Sequence, residues 1–163
     1  MTTTREQPWS DDPSDRPAAR GRVVVLSRNP ISDAIEAIAN AVGREVVVVV
    51  EDEEGRGVAG VAALDLRVGD AVVLCDHDAP DAPRVLRDAL ASPASYVAMM
   101  ASRRRAEGVL VDLAQEGVPG LDRLHVPAGL DTGGKAPGEI ALSVVAEIVA
   151  EGHGRSGGPL RRA

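Results

Sequence analysis

The chain has 163 residues, of which 44% are hydrophobic and 26% are charged, a length that suits one domain with tails. Its 25 acidic and 18 basic residues give a net charge of −7, which disfavours general binding to nucleic acid or to an anionic membrane. A single cysteine excludes an internal disulfide and any multi-cysteine metal site. No apolar run reaches the roughly 20 residues of a membrane span, and the first 20 residues lack the apolar core of a signal peptide. We therefore expect a cytoplasmic protein.

Both ends of the chain differ in composition from its middle. Residues 1–20 are polar and contain three prolines, and residues 152–163 are rich in glycine. Such segments bury too little apolar surface to offset their ordering entropy. We predict disordered tails over 1–20 and 152–163, and one folded domain over 21–151.

The first half of this domain alternates between two patterns. A continuous apolar run at 23–26 predicts a buried strand, and apolar residues at helical spacing from Ile31 to Val42 predict a helix that ends at Gly43. A second apolar run at 46–50 predicts another strand. Residues 58–66 fit either a short strand or a connector.

The second half repeats this alternation. Strands are predicted at 70–75, 96–100 and 123–126, and helices at 83–90, at 103–116 and from about Pro137 onwards. The helix residues expected to face inward are Leu86, Leu90, Ala106, Leu110, Leu113, Ile140, Val144 and Ile148.

Strands that are apolar on both faces and alternate with helices predict an α/β fold with a mainly parallel sheet. Right-handed crossovers make this sheet doubly wound and Rossmann-like. Ligands of such sheets bind at the carboxyl ends of the strands. We therefore expect the functional residues in the turns that follow the strands.

The first of these turns contains Ser27, Asn29 and Ser32 but none of the glycines of a dinucleotide-binding turn. These side chains could donate hydrogen bonds to an anion at the helix N-terminus, or Asn29 or Ser32 could simply cap the helix. Glu51 is placed to hold a ribose, although the acidic run 51–54 is more simply a solvated surface.

Asp76-His77-Asp78 follows the third strand. An imidazole flanked by carboxylates could orient a ligand or assist proton transfer, but Asp78 could equally cap the next helix. No second set of ligands supports a metal site there. His125 is interpreted as a packed or hydrogen-bonded residue, and Cys75 as a buried strand residue.

Two further turns carry positive charge. Ser102 precedes three consecutive arginines at 103–105, which oppose the dipole of the helix that they begin unless an anion offsets them. The glycine-rich loop 129–136 contains Lys135, the only lysine, and its amides could form an anion nest. Salt bridges for the arginines and a purely structural loop are the alternatives. Glu139 is expected to reach back and cap the last helix.

Several motifs together resemble the C-terminal Rossmann-like domain of the XdhC/CoxF family of maturation factors for xanthine and carbon monoxide dehydrogenases. They are Asp76-His77-Asp78, ASPASYV at 91–97, SRRR at 102–105, RLHVPAGLD at 123–131 and GKAPGEIA at 134–141. The resemblance is strong over 70–150 and looser over 22–50. The chain departs from it at the first turn, which lacks the family's glycines, and at Ala101, where a glycine is usual.

The resemblance implies a cofactor-binding chaperone with no catalytic residues of its own. It would bind molybdenum cofactor, as molybdopterin or its dinucleotide form, and help to deliver it to a molybdenum hydroxylase apo-enzyme. A cysteine desulfurase is an implied partner, and so is a separate protein carrying the family's N-terminal half, which this sequence lacks; a homodimer is also considered. The predicted cofactor-binding residues are Ser27, Asn29, Asp76, His77, Ser102, Arg103, Arg104, Asp131, Thr132, Gly133, Gly134 and Lys135, with the phosphate meeting the arginines 103–105 and the loop 132–135 together.

Two alternatives remain open at this stage. The same fold could serve an NAD(P)-dependent oxidoreductase, although the missing glycines argue against it. The chain could also be an interaction subunit that pairs with the missing half and binds no small molecule.

Overall fold

A computed structural model describes residues 20–50, 57–76 and 82–161. In these ranges strands and helices alternate, with a short 3-10 turn before the last strand. The elements are β1 (Arg22–Leu26), α1 (Pro30–Ala41), β2 (Glu45–Val49), α2 (Gly57–Ala62), β3 (Ala71–Leu74), α3 (Ala82–Ala91), β4 (Tyr96–Met99), α4 (Arg103–Gln115), β5 (Leu124–His125) and α5 (Pro137–Gly152).

The strands form one parallel sheet in the order β2-β1-β3-β4-β5. The chain first winds outward from β1 to β2 and then crosses to β3 on the other side of β1. This reversal confirms the predicted doubly wound α/β fold and places its switch point between β1 and β3.

Apolar residues cover both faces of the sheet, as the continuous strand runs require. One face packs against α2, α3 and α4 through residues such as Val72 and Val97, and the other packs against α1 and α5 through residues such as Val73 and Ala98. The strands are therefore fixed by two separate cores. Only the turns at the strand ends are left to carry polar chemistry.

The amino ends of β1 and β3 are tied together by Asp70, which is 2% exposed. Its carboxylate accepts hydrogen bonds from the backbone N–H and the guanidinium of Arg22, at 2.8 and 2.6 Å, and from the N–H of Arg67 at 2.9 Å. This clamp lies at the opposite edge of the sheet from the predicted site.

One predicted element is wrong. Residues 58–66 were expected to form a short strand or a connector, whereas residues 57–62 form the helix α2 and Val61 is buried in the core. The β-branched residues of this segment favour a strand. The crossover from β2 to a parallel β3, however, must cover the face of the sheet, and a helix does this.

Two helix residues are less buried than predicted. Leu110 is 37% exposed, and Ile140 is only partly buried. The buried stripe of α4 consists of Ala106 and Leu113, and Leu110 is turned about 40° from Ala106 around the helix axis, toward solvent.

The predicted tails lie largely beyond these elements. Residues 1–19 are outside the described part of the chain, whereas 153–161 follow α5 as exposed chain without helix or strand. Among the described residues, none of the helices combines the length and the apolar character needed to cross a bilayer.

Candidate functional site

The carboxyl ends of neighbouring strands are joined to one another by hydrogen bonds along one edge of the sheet. The side-chain amide of Asn29, after β1, donates to the carbonyl of Cys75, after β3, at 3.2 Å. Met100 N–H donates to Leu74 O at 2.9 Å, and Ala128 N–H donates to Met99 O at 3.1 Å. The turns that follow β1, β3, β4 and β5 therefore form one continuous edge, which we call the carboxyl edge.

The turn after β1 is closed by its own side chains. Asn29 Oδ1 accepts from the N–H groups of Ile31 and Ser32 at 3.0 and 2.9 Å, and Ser32 Oγ accepts from the N–H of Asn29 at 2.7 Å. Ser27 adopts a left-handed backbone conformation (φ 77°), and its N–H donates to Val49 O. Of the two interpretations of this turn, the structure shows the helix cap, and the cap occupies the helix amides that a phosphate would use.

The turn after β3 is only partly described. Cys75 is buried, and burial raises the pKa of its thiol to about 12, so it is protonated and unreactive at neutral pH. Asp76 lies half-buried directly after it. His77, Asp78 and the acidic run with Glu51 lie outside the described residues. Within the described part of the chain, no three His, Cys, Asp or Glu side chains are grouped as metal ligands.

The turn after β4 concentrates positive charge. Ser102 caps α4, since its Oγ accepts from the N–H of Arg105 at 3.2 Å. The first turn of α4 contains the three arginines and no acidic residue, an arrangement that the helix dipole opposes. Arg103 Nη2 lies 3.9 Å from Asp131 Oδ2, and both side chains are more than 85% exposed. This contact places the start of α4 beside the loop between β5 and α5.

That loop is shaped by a carboxylate of the chain itself. Glu139 Oε2 accepts from the N–H groups of Lys135 and Ala136 at 3.0 and 3.2 Å, so the predicted capping by Glu139 is confirmed. A Cβ on Gly134 would come within 2.5 Å of Glu139 Cβ, which explains the glycine there. The carboxylate of Glu139 therefore occupies two amides of the predicted anion nest. Asp131, Thr132, Gly133 and Lys135 are exposed on the carboxyl edge.

A cavity of about 490 Å³ lies between α3 and α4. Ser102, Arg104 and Arg105 are among the residues that line it, whereas no residue of the loop 131–135 does. The three arginines are therefore divided: Arg103 lies beside the loop, and the next two lie at the cavity. The expectation that all three would meet one phosphate together with the loop is not what the structure shows.

Sequence reasoning missed a largely buried polar cluster beneath the loop. Glu147 Oε2 accepts from the hydroxyl of Tyr96 at 2.5 Å and from the N–H of Gly129 at 2.8 Å. Its other oxygen, Oε1, lies 3.4 Å from His125 Nδ1, and the His125 ring stacks on Tyr96 with centroids 4.3 Å apart. We call these four residues the Glu147 cluster. The interpretation of His125 as a hydrogen-bonded, packed residue is confirmed.

The hydrogen bonds of the Glu147 cluster keep Glu147 ionised and Tyr96 protonated. Burial by itself would raise the pKa of Glu147, but hydrogen bonds from His125, Tyr96 and Gly129 outweigh it and hold that pKa below its usual value. Burial and the neighbouring carboxylate raise the pKa of Tyr96, which therefore keeps its proton. An ionised Glu147 thus fixes the start of the loop onto α5.

The sequence does contain a signal for this cluster. Glu147 lies seven residues after Ile140 and three after Val144, so it falls on the helix stripe that the apolar residues mark as buried. A carboxylate on such a stripe needs a partner. Its partners are distant in sequence, however, and only the fold identifies them.

Comparison with known families matches residues 23–148 to the XdhC Rossmann domain. Among curated proteins, the uncharacterized protein YqeB of Escherichia coli K12 is 33% identical over 102 residues. The match covers 61% of this chain and 18% of YqeB.

Among solved structures, the chain is similar to the crystal structure of a xanthine dehydrogenase from Bacillus halodurans. The TM-score is 0.69 at 22% sequence identity, and the match covers 84% of this chain and 44% of the other. This likeness shows the fold. The chain spans less than half the length of either of these two proteins.

Proposed function

This chain belongs to the XdhC Rossmann-domain family, and from that premise we propose that it is a maturation factor for a molybdenum hydroxylase of the xanthine or carbon monoxide dehydrogenase type. It binds molybdenum cofactor, as molybdopterin or its dinucleotide form, as cargo and helps to deliver it. The family match and the Bacillus halodurans neighbour support the class of protein, and the carboxyl edge supports the binding site.

The contact between Arg103 and Asp131 is the observation that carries this proposal. The distance of 3.9 Å between Arg103 Nη2 and Asp131 Oδ2 shows that the guanidinium at the start of α4 lies beside the loop that contains Lys135. An exposed ion pair of this kind is worth at most about 1 kcal/mol. A phosphate can therefore replace the Asp131 carboxylate on Arg103 at little cost.

Side chains, rather than backbone amides, supply the binding energy at this edge. The first amides of α1 and α5 are taken by Asn29 and Glu139, and an amide in the first turn of α4 is taken by Ser102. A phosphate on the cofactor would meet Arg103, which presents a planar fork of donors, and the ammonium of Lys135. The Thr132 hydroxyl and the amide of Gly133 lie in the same loop.

The same proposal assigns the partners. The cargo passes to a molybdenum hydroxylase apo-enzyme, and a cysteine desulfurase supplies the sulfur. A separate protein with the family's N-terminal half, or a second copy of this chain, would complete the assembly. Delivery requires exposed contacts that exchange readily, and Arg103 and Asp131 are both exposed.

Replacing Arg103 and Lys135 together by alanine is expected to weaken the binding of isolated molybdopterin by about a hundredfold or more, since each charged hydrogen bond contributes about 1.5–3 kcal/mol. Equilibrium dialysis measures the bound fraction. Arg67→Ala is the matched control, because Arg67 is 76% exposed and lies near the amino edge of the sheet. Failure of the wild type to bind, or equal binding by the double variant, contradicts the site.

A further inference from the structure

We propose that the cavity between α3 and α4 is a second binding site, for a small organic anion with an apolar body. It is separate from the loop 131–135, none of whose residues lines it. The inference does not rest on the proposed function, because it follows from the shape, lining and charge of the cavity.

The cavity has the size and floor of a small-molecule site. Its volume of about 490 Å³ lies within the roughly 300–1,000 Å³ of typical ligand pockets. Leu86, Met99 and Leu113 line it and are at most 3% exposed, so they present a fixed apolar surface. A floor of this kind binds the apolar part of a ligand by removing its surface from water.

The positive charge at one end of the cavity determines how the ligand is oriented. Arg104 and Arg105 lie there in the first turn of α4, which itself contains no acidic residue, and the helix dipole adds to their positive potential. The side chain of Arg104 makes no ion pair with another described residue. An anionic group held at this end satisfies both the Arg104 guanidinium and the dipole.

A salt bridge between the two helices also lines the cavity. Arg87 Nε and Nη2 each donate to a carboxylate oxygen of Glu116, both at 2.7 Å. Asp112, nearly two turns beyond Arg105 along α4, adds negative charge on that side. The ligand therefore carries its anionic group at the arginine end and its neutral body toward the floor.

Gly108 is an independent indication that the cavity is kept open for a ligand. It lies in the interior of α4, where glycine is unfavourable relative to alanine, and it lines the cavity. A Cβ at this position would meet no other atom within 4 Å, so packing inside the chain does not require glycine. Its effect is to leave one wall of the cavity free of a side chain.

The test uses 1-naphthyl phosphate, a flat apolar body with one anionic group, titrated into the full chain by calorimetry. We expect saturable binding of one molecule, and at least tenfold weaker binding of inorganic phosphate. Gly108→Leu is expected to abolish binding while leaving the chain folded, because leucine is a better helix former and its side chain fills the cavity. Ala114→Leu, on the exposed side of α4, is the matched control and is expected to bind like the wild type.

The anionic end is tested separately. Arg104→Gln is expected to weaken the binding of 1-naphthyl phosphate by about tenfold, as expected for losing a charged hydrogen bond, and Arg84→Gln on the exposed face of α3 is expected to leave it unchanged. The proposal is overturned if the wild type does not bind the probe or if Gly108→Leu binds it as tightly as the wild type. Equal binding by Arg104→Gln would overturn the assignment of the anionic end.

Discussion

Replacing Glu147 by alanine is expected to lower the free energy of unfolding by about 3 kcal/mol, because buried hydrogen-bond donors are left without their charged acceptor. The Tyr96 hydroxyl, the N–H of Gly129 and His125 Nδ1 all lose their partner in one step. In a chain of this size that loss corresponds to a fall of roughly 6–12 °C in the melting temperature.

Glu151→Ala is the matched control for this prediction. Glu151 is on the same helix, one turn further on, and its side chain is exposed. Such a surface change is expected to alter stability by no more than about 0.5 kcal/mol. Equal effects of the two substitutions in thermal and urea unfolding would show that the Glu147 cluster contributes nothing specific.

The milder Glu147→Gln variant gives this prediction a pH signature. The folded chain holds the pKa of Glu147 below the ordinary value of 4.5, so ionised Glu147 stabilises the fold above that pH. This contribution is lost as the pH falls through the lowered folded-state pKa. The stability difference between the wild type and Glu147→Gln is therefore expected to be constant near neutral pH and to shrink below about pH 4.5. A stability difference between the two proteins that stays constant on acidification would contradict this prediction.

Asp70→Asn is expected to destabilise the chain by about 3 kcal/mol, the second large effect, because it removes the charge of a buried carboxylate that pairs with the partly buried Arg22. The Asp70 carboxylate is 3% exposed and accepts from both the backbone and the guanidinium of Arg22, as well as from Arg67 N–H. The amide that replaces the carboxylate carries an NH₂ group, which would face at least one of these N–H donors without forming a hydrogen bond. The clamp between the amino ends of β1 and β3 would then be broken.

Asp65→Asn provides the comparison for Asp70. Asp65 also forms an ion pair with an arginine, Arg67, but both of these side chains are more than 70% exposed. Exposed pairs contribute about 0–1 kcal/mol, so the control variant is expected to unfold close to the wild type. If urea unfolding gave similar losses for both variants, burial of the Asp70 clamp would not be the source of its stability.

Much of the fold could be predicted from local pattern. The apolar run at 23–26 lies within β1 and is buried on both faces of the sheet, and the run at 46–50 falls in β2 except for the exposed Val50. The helix from Pro30 is identified by its apolar spacing and its cap at Asn29. The segment 57–62 could not be assigned in this way. Its β-branched residues fit a strand, and only the need to cover a parallel crossover makes it a helix.

The candidate site was only partly predictable. The positive side chains of Arg103 and Lys135 were identified from their places after β4 and β5, and their loops do adjoin one another. The capping of the last helix by Glu139 was also predicted, but the sequence could not show that Arg104 and Arg105 line a separate cavity. Their placement depends on side-chain directions and on the spacing of α3 and α4, which no local pattern specifies.

The central claim is that this chain matures a molybdenum hydroxylase, and reconstitution of an apo-hydroxylase tests it most directly. The specific activity recovered is measured with free molybdenum cofactor, with cofactor preloaded on the wild-type chain, and with cofactor mixed with the Arg103→Ala/Lys135→Ala variant. We expect the wild-type chain to increase the activity recovered well above that with free cofactor, and the variant to give no increase. Equal recovery in all three cases would contradict the account.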